Sequence, residues 1–190
     1  MKRCAPILLA LTLTACGAAP QSAPSPTASG AGVLPCTAPA ANAAPVVGGL
    51  PDVTLDCLGD GPAVRLRDLR GTPLIVNVWA QWCGPCRAEA PYLADLAKRA
   101  TGHGGEPAML GIDFADPRPD LARRFAVQQG LAYPHLRDPD KLVGVPLKLI
   151  GPPATVFVGA DGVIKYVHRG PFTSQQQFDQ MVRAKLGIAP

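Results

Sequence analysis

Cys83-Gly84-Pro85-Cys86 follows closely on a near-continuous apolar run, Leu74-Ile75-Val76-Asn77-Val78-Trp79. Such a run reads as a strand covered on both faces. The residues after Cys86 read as a helix to Ala100, with Tyr92, Leu93, Leu96, Ala97 and Ala100 on one apolar face. Pro91 falls inside that helix, where it should kink the axis or cost a backbone bond. Cys83 therefore stands where a buried strand gives way to a helix N-terminus. The unpaired N–H groups and the helix dipole at that point stabilise a thiolate, which is the attacking species in disulfide exchange. Cys86 lies one turn on, close enough to close a ring with Cys83, and Pro85 restricts the turn between them. Trp82 can cover the pair with an apolar surface. The rival reading is a structural disulfide at a helix start, and the strand, Trp and helix around the pair weigh against it.

The rest of the chain alternates strand and helix. Val53 to Cys57 and Val64 to Leu66 form short strands about a Gly59-Asp60-Gly61-Pro62 turn, and Asp68 to Gly71 reads as a turn of helix. Met109 to Phe114 is a second buried strand. Asp120 to Gln129 is a helix with Leu121, Phe125 and Val127 turned inward, closed by Gly130. Tyr133 to Asp138 is extended. Ala154 to Val158 and Val163 to Val167 form a hairpin across Ala160-Asp161-Gly162. Gln175 to Leu186 is a last amphipathic helix with Phe178, Met181, Val182 and Leu186 inward. This order builds an α/β fold around a mixed sheet.

The N-terminus has a different character. Lys2 and Arg3 precede an apolar run from Ile7 to Leu13 that is too short to span a bilayer. The run ends in Leu13-Thr14-Ala15-Cys16, which resembles the lipobox of bacterial lipoproteins. That resemblance implies a signal peptide over residues 1–15 and a lipid-acylated Cys16 holding the chain to the membrane. An ordinary signal peptide with a chance Cys is the alternative. No charged residue occurs from Cys16 to Pro51, and Ala, Pro, Ser, Thr and Gly dominate. Such a stretch buries too little apolar surface to offset its ordering entropy, so residues 16–47 read as a disordered tether before a domain over 48–190. The formal net charge of +4 includes Lys2 and Arg3, and no basic cluster is interleaved with aromatics. Nucleic-acid binding has little support.

Six cysteines include Cys4 in the signal segment and Cys16 at the lipobox, which leaves Cys36, Cys57, Cys83 and Cys86. In an oxidising compartment, Cys36 and Cys57 read as a structural disulfide that staples the end of the tether to the first strand. A ring of that size is worth roughly 3 kcal/mol in the loop-entropy treatment. Two unpaired thiols are the alternative. A zinc site lacks a second regularly spaced pair, and no metal or organic cofactor is called for.

The segment Asn77-Val78-Trp79-Ala80-Gln81-Trp82-Cys83-Gly84-Pro85-Cys86-Arg87-Ala88-Glu89-Ala90-Pro91 resembles the TlpA/ResA-like branch of the thioredoxin superfamily, with the likeness running from about Gly48 to Gly187. The resemblance implies a thioredoxin fold: a central mixed sheet flanked by helices, with an N-terminal strand extension. It implies that Cys83 attacks a substrate disulfide and that Cys86 resolves the mixed disulfide. Cytosolic thioredoxins carry a buried Asp where this chain has Asn77, which takes no proton at neutral pH. Glu89, one turn after Cys86 on the same helix face, matches the carboxylate that exchanges protons with the thiols in this branch. Burial would raise its pKa into the neutral range; a solvated helix Glu is the alternative. Pro153 in Gly151-Pro152-Pro153-Ala154-Thr155 aligns with the family's cis-proline, which faces the Cys pair and, with Trp82 and Pro85, borders bound substrate. A double-proline turn is the alternative. Pro152 lacks the N–H that the family usually has before that proline.

By resemblance the partners are thiols or disulfides of exported proteins, apocytochrome c or a copper-site assembly protein among them. An upstream membrane electron donor or acceptor is also implied. The Gly-Pro dipeptide favours a reductant; a disulfide-forming oxidase of the same fold is the alternative. A copper-binding assembly chaperone using Cys83, Cys86 and His135 or His168 as ligands is a further alternative. His103, His135 and His168 otherwise read as structural or solvated. A peroxidase lacks its Pro/Thr-flanked Cys motif. A non-catalytic surface domain with a structural disulfide would leave Cys83 unreactive after mild reduction.

Overall fold

In the computed structural model of the 190-residue chain, Met1 and residues 32–39, 44–100 and 107–188 are described. Cys4, Cys16, His103 and the signal segment lie outside them, apart from Met1. Seven strands form one sheet: β1 (Thr54–Cys57), β2 (Val64–Arg65), β3 (Leu74–Trp79), β4 (Ala108–Phe114), β5 (His135–Asp138), β6 (Ala154–Val158) and β7 (Ile164–Arg169). Their order across the sheet is β2-β1-β5-β4-β3-β6-β7. β3, β4 and β5 run parallel, while β6 pairs antiparallel with β3 and β7 with β6.

Every residue of β3 is buried, as its unbroken apolar run requires. Its two sets of alternate side chains feed two cores. Ile75 and Trp79 face three helices, α1 (Gly84–Ala100), α2 (Pro119–Gln128) and α3 (Gln175–Leu186), through Leu93, Leu96, Phe125, Phe178 and Val182. Val76 and Val78 face Leu55, Leu66, Val143 and Leu147 on the other side. The helices thus share one face of the sheet. α1 runs through Pro91. α3 starts at Ser174, whose hydroxyl accepts from Gln177 N at 3.1 Å, and stops at Gly187, which is left-handed at φ 70°.

Several expectations are corrected. Val127 is 47% exposed, because α2 turns Ala122, Phe125 and Ala126 inward instead. The short helical turn is a 3-10 turn over Leu66–Asp68, earlier than expected, with Leu66 buried. The last strand runs on to Arg169, extended by pairing with Ala154. Within the stretch read as tether, Val33 and Cys36 are buried and Leu34 bridges to Pro134. The Cys36 N–H donates to the Asp60 carbonyl at 2.8 Å, so the described stretch around Val33–Cys36 packs on the domain. Val33 joins the core cluster that holds Leu58, and Leu34 and Cys36 meet Pro134 before β5 and the turn after β1, contacts that no local pattern anticipates.

Candidate active site

β3 carries the chain to the site. Beyond Trp79, Cys83 precedes the first turn of α1 and is bonded to Cys86, with α-carbons 5.3 Å apart. The Cys86 N–H donates to Cys83 Sγ at 3.1 Å, so this sulfur sits where an N-cap oxygen would. On reduction the same N–H and the helix dipole favour the Cys83 thiolate. Trp82 is 53% exposed and its indole N–H donates to the Ala115 carbonyl at 3.3 Å, while Pro85 is exposed beside the pair. The Pro152–Pro153 peptide is cis. Because Ala154 pairs with Val78, Pro153 lies at the end of β3 from which Cys83 emerges. Cys83, Cys86, Trp82, Pro85 and Pro153 thus share one end of the sheet. Cys36 and Cys57 form a second disulfide on the β1 side.

Glu89 is completely buried, one turn after Cys86 on the buried face of α1. Asn77 Nδ2 donates to Oε1 at 3.2 Å and the Phe172 N–H donates to Oε2 at 3.0 Å. Burial raises its pKa to about 7, and the two hydrogen bonds only partly oppose that rise. It is thus a carboxyl able to gain or lose a proton near neutrality, seated behind the cysteine pair.

A second buried network braces the site and was not legible beforehand. The Trp79 indole N–H donates to His135 Nδ1 at 3.1 Å, and His135 Nε2 lies 3.1 Å from the Leu131 carbonyl. Both ring nitrogens are used, and burial lowers the His135 pKa to about 4, so the ring is neutral. Gly111 lies beneath this pair. A Cβ there would fall inside the imidazole, so only glycine leaves the room. Asp116 accepts from Gln81 N at 3.2 Å and Arg118 N at 3.0 Å, fixing the turn before Cys83. Asp113 is fully buried with neither carboxylate oxygen hydrogen-bonded, and burial with nearby Asp116 raises its pKa to about 8. Only the Asp116-Pro117 turn signal could have hinted at this group from sequence.

The copper alternative needs Cys83 and Cys86 to share an ion with His135 or His168, and His135 has no free nitrogen. Among the described residues no group of three or more His, Cys, Asp or Glu could hold a metal ion.

A seven-stranded mixed sheet with a CxxC disulfide capping the first long helix defines a thioredoxin fold. The sequence pattern of the Redoxin family matches residues 46–184, and the chain belongs to that family. It is 35% identical over 127 residues to the thiol:disulfide interchange protein DsbE of Vibrio cholerae, covering 60% of this chain and 65% of that one. It is 36% identical over 130 residues to the thiol:disulfide interchange protein CycY of Rhizobium leguminosarum, covering 68% and 63%. The chain thus spans a little under two thirds of these relatives' lengths. A secreted Mycobacterium tuberculosis disulfide oxidoreductase, described as homologous to Escherichia coli DsbE, superposes with a TM-score of 0.60. The two are 26% identical, over 70% of this chain and 96% of that one. Among the described residues no helix is long and apolar enough to cross a membrane.

Proposed function

We propose that this protein is an extracytoplasmic thiol–disulfide oxidoreductase that reduces disulfides in exported proteins. Cys83 is the nucleophile, Cys86 the resolving thiol and Glu89 the proton-exchanging carboxyl. The observation that carries this reading is the Cys83 sulfur at the N-terminus of α1, accepting the Cys86 N–H, with buried Glu89 one turn behind. Cys83 thiolate attacks a substrate disulfide and one substrate sulfur leaves. Cys86 then gives its proton to Glu89 and attacks Cys83 Sγ, which closes the enzyme disulfide and releases the second substrate thiol. The substrate gains two electrons and the cysteine pair loses two.

Substrate docks between Trp82 and Pro85 and the cis-Pro153 loop. Pro152 offers a carbonyl but no N–H there, so one backbone donor is missing from the docking edge. A lipid on Cys16 holds the protein to the membrane, the charge-free segment spaces the domain from it, and Cys36–Cys57 ties that segment down. An electron donor in the membrane re-reduces the pair. The resemblance to the relatives named DsbE and CycY supports a role in cytochrome c maturation, with an apocytochrome disulfide as substrate and its thiols as product. Expression of Cys86→Ala tests the reading: exported proteins should accumulate in dithiothreitol-sensitive adducts on Cys83. Absence of any such adduct, with Cys83 accessible to alkylation, would refute it.

A further inference from the structure

Glu89 has no exposed surface, so a proton it takes from Cys86 reaches water only through neighbouring groups. On the helix-facing side of the sheet one row of residues leads away from it. Asn77, Thr155 and His168 are cross-strand partners on β3, β6 and β7. Paired residues share a face, and their Cβ atoms stand about 4.5–5.5 Å apart. Each member of the row carries a buried polar atom without a partner among the described residues: Asn77 Oδ1, Thr155 Oγ1 and His168 Nε2. Buried polar atoms are rarely left so. None of these three atoms bonds directly to another, and single waters can bridge side chains at such a spacing.

The two ends of the row are tied to one residue. The Phe172 N–H holds Glu89 Oε2, while the Phe172 ring stacks on His168 with centroids 4.2 Å apart. His168 itself is half-buried, so the row ends at solvent. Its ring is also held by the Pro171 carbonyl, which leaves the inward nitrogen free to accept.

Resting on the oxidoreductase reading, we propose that Thr155 and His168 form, with bridging water, the route by which the Glu89 proton reaches solvent. The Glu89 proton passes to a water between Asn77 and Thr155. The Thr155 hydroxyl takes one proton and gives up its own toward His168 Nε2. The imidazolium then releases a proton to bulk water. One proton enters and one leaves, and no electron moves. Among the described residues, no other titratable group facing this row offers an exit. Tyr133, which feels the Glu89 charge, is buried and held protonated. Asp113 and His135 lie beyond β3 on β4 and β5, with no exposed surface. The buried residues of α3, Phe178 and Val182, do not titrate.

Thr155→Val keeps the shape and removes the hydroxyl; His168→Phe keeps the stack on Phe172 and removes the nitrogen. Turnover of insulin disulfides by the reduced protein should fall about tenfold in each, a modest share of what general acid–base groups contribute. Thr155→Ser and added imidazole should restore it, and the Cys83–Cys86 potential should stay at the wild-type value. Wild-type rates in both variants would overturn the relay, as would a slowing that imidazole leaves untouched and that comes with a shifted potential. An inactive wild-type protein would instead overturn the oxidoreductase reading itself.

Discussion

Replacing Glu89 by Gln should make the oxidised protein more stable in alkaline than in acidic solution, relative to wild type. The carboxyl titrates near its ordinary 4.5 when unfolded and at about 7 when folded. A pKa raised by folding contributes stability that is fully present below the unfolded value and is lost as pH rises through the folded one. At pH 8 the ionised, buried Glu89 therefore costs roughly 3 kcal/mol; at pH 5 it costs under about 1 kcal/mol. Gln has the shape of the protonated acid and no charge. Its oxygen can keep the Phe172 N–H, and its amide can donate to Asn77 Oδ1, which has no partner now, once the Asn77 amide turns over. The variant should gain about 2.5 kcal/mol on wild type between pH 5 and pH 8, or roughly 8 °C in Tm for a domain of this size. Urea melts at both pH values, with the disulfides intact, measure this difference. Asp113 and His135 titrate in both proteins and cancel. Parallel pH–stability curves would show that Glu89 is not held neutral by burial. The same variant should lose most disulfide-reducing activity, about 100-fold, at every pH.

Three further outcomes follow from the geometry. Mutating Cys36 and Cys57 to Ala should cost roughly 3 kcal/mol in denaturant melts and leave Cys83 alkylation after mild reduction unchanged. Gly111→Ala pushes a methyl into the His135 ring against Trp79 and should destabilise by about 3 kcal/mol or prevent folding, read by thermal melts and Trp fluorescence. His135, neutral with a pKa lowered to about 4, contributes stability present above pH 6.5 and lost as pH falls toward 4. His135→Gln should flatten that acid limb by roughly 3 kcal/mol at most, as seen in urea melts at pH 7 and pH 4.

What the sequence revealed divides along physical lines. β3, α1 and the capping cysteine were legible because an unbroken apolar run, a 3.6-residue stripe and a CxxC are local signals. Glu89 was legible through its spacing from Cys86 and a family likeness, and its burial came only with the fold. The Trp79–His135 bond joins residues 56 positions apart, and the Glu89–Phe172 bond spans 83. No periodicity reports such pairings. Asp113 falls in a strand that reads as buried, and only the fold shows that its two carboxylate oxygens find no partner there. Val33 and Cys36 sit in a charge-free stretch whose composition argues for disorder, and the turn after β1 and the run into β5 supply contacts that composition cannot show.

On the proposed function, Cys83 and Cys86 are a reversible redox pair, with the Cys83 sulfur activated at the start of α1. A glutathione redox titration of the protein, scored by alkylation of Cys83, measures this. A reversible two-electron transition at a reducing potential, near the roughly −270 mV of thioredoxin, is the expected result. A transition near −120 mV would contradict the assignment as a reductant, and a Cys83 that never alkylates after mild reduction would contradict the redox pair itself.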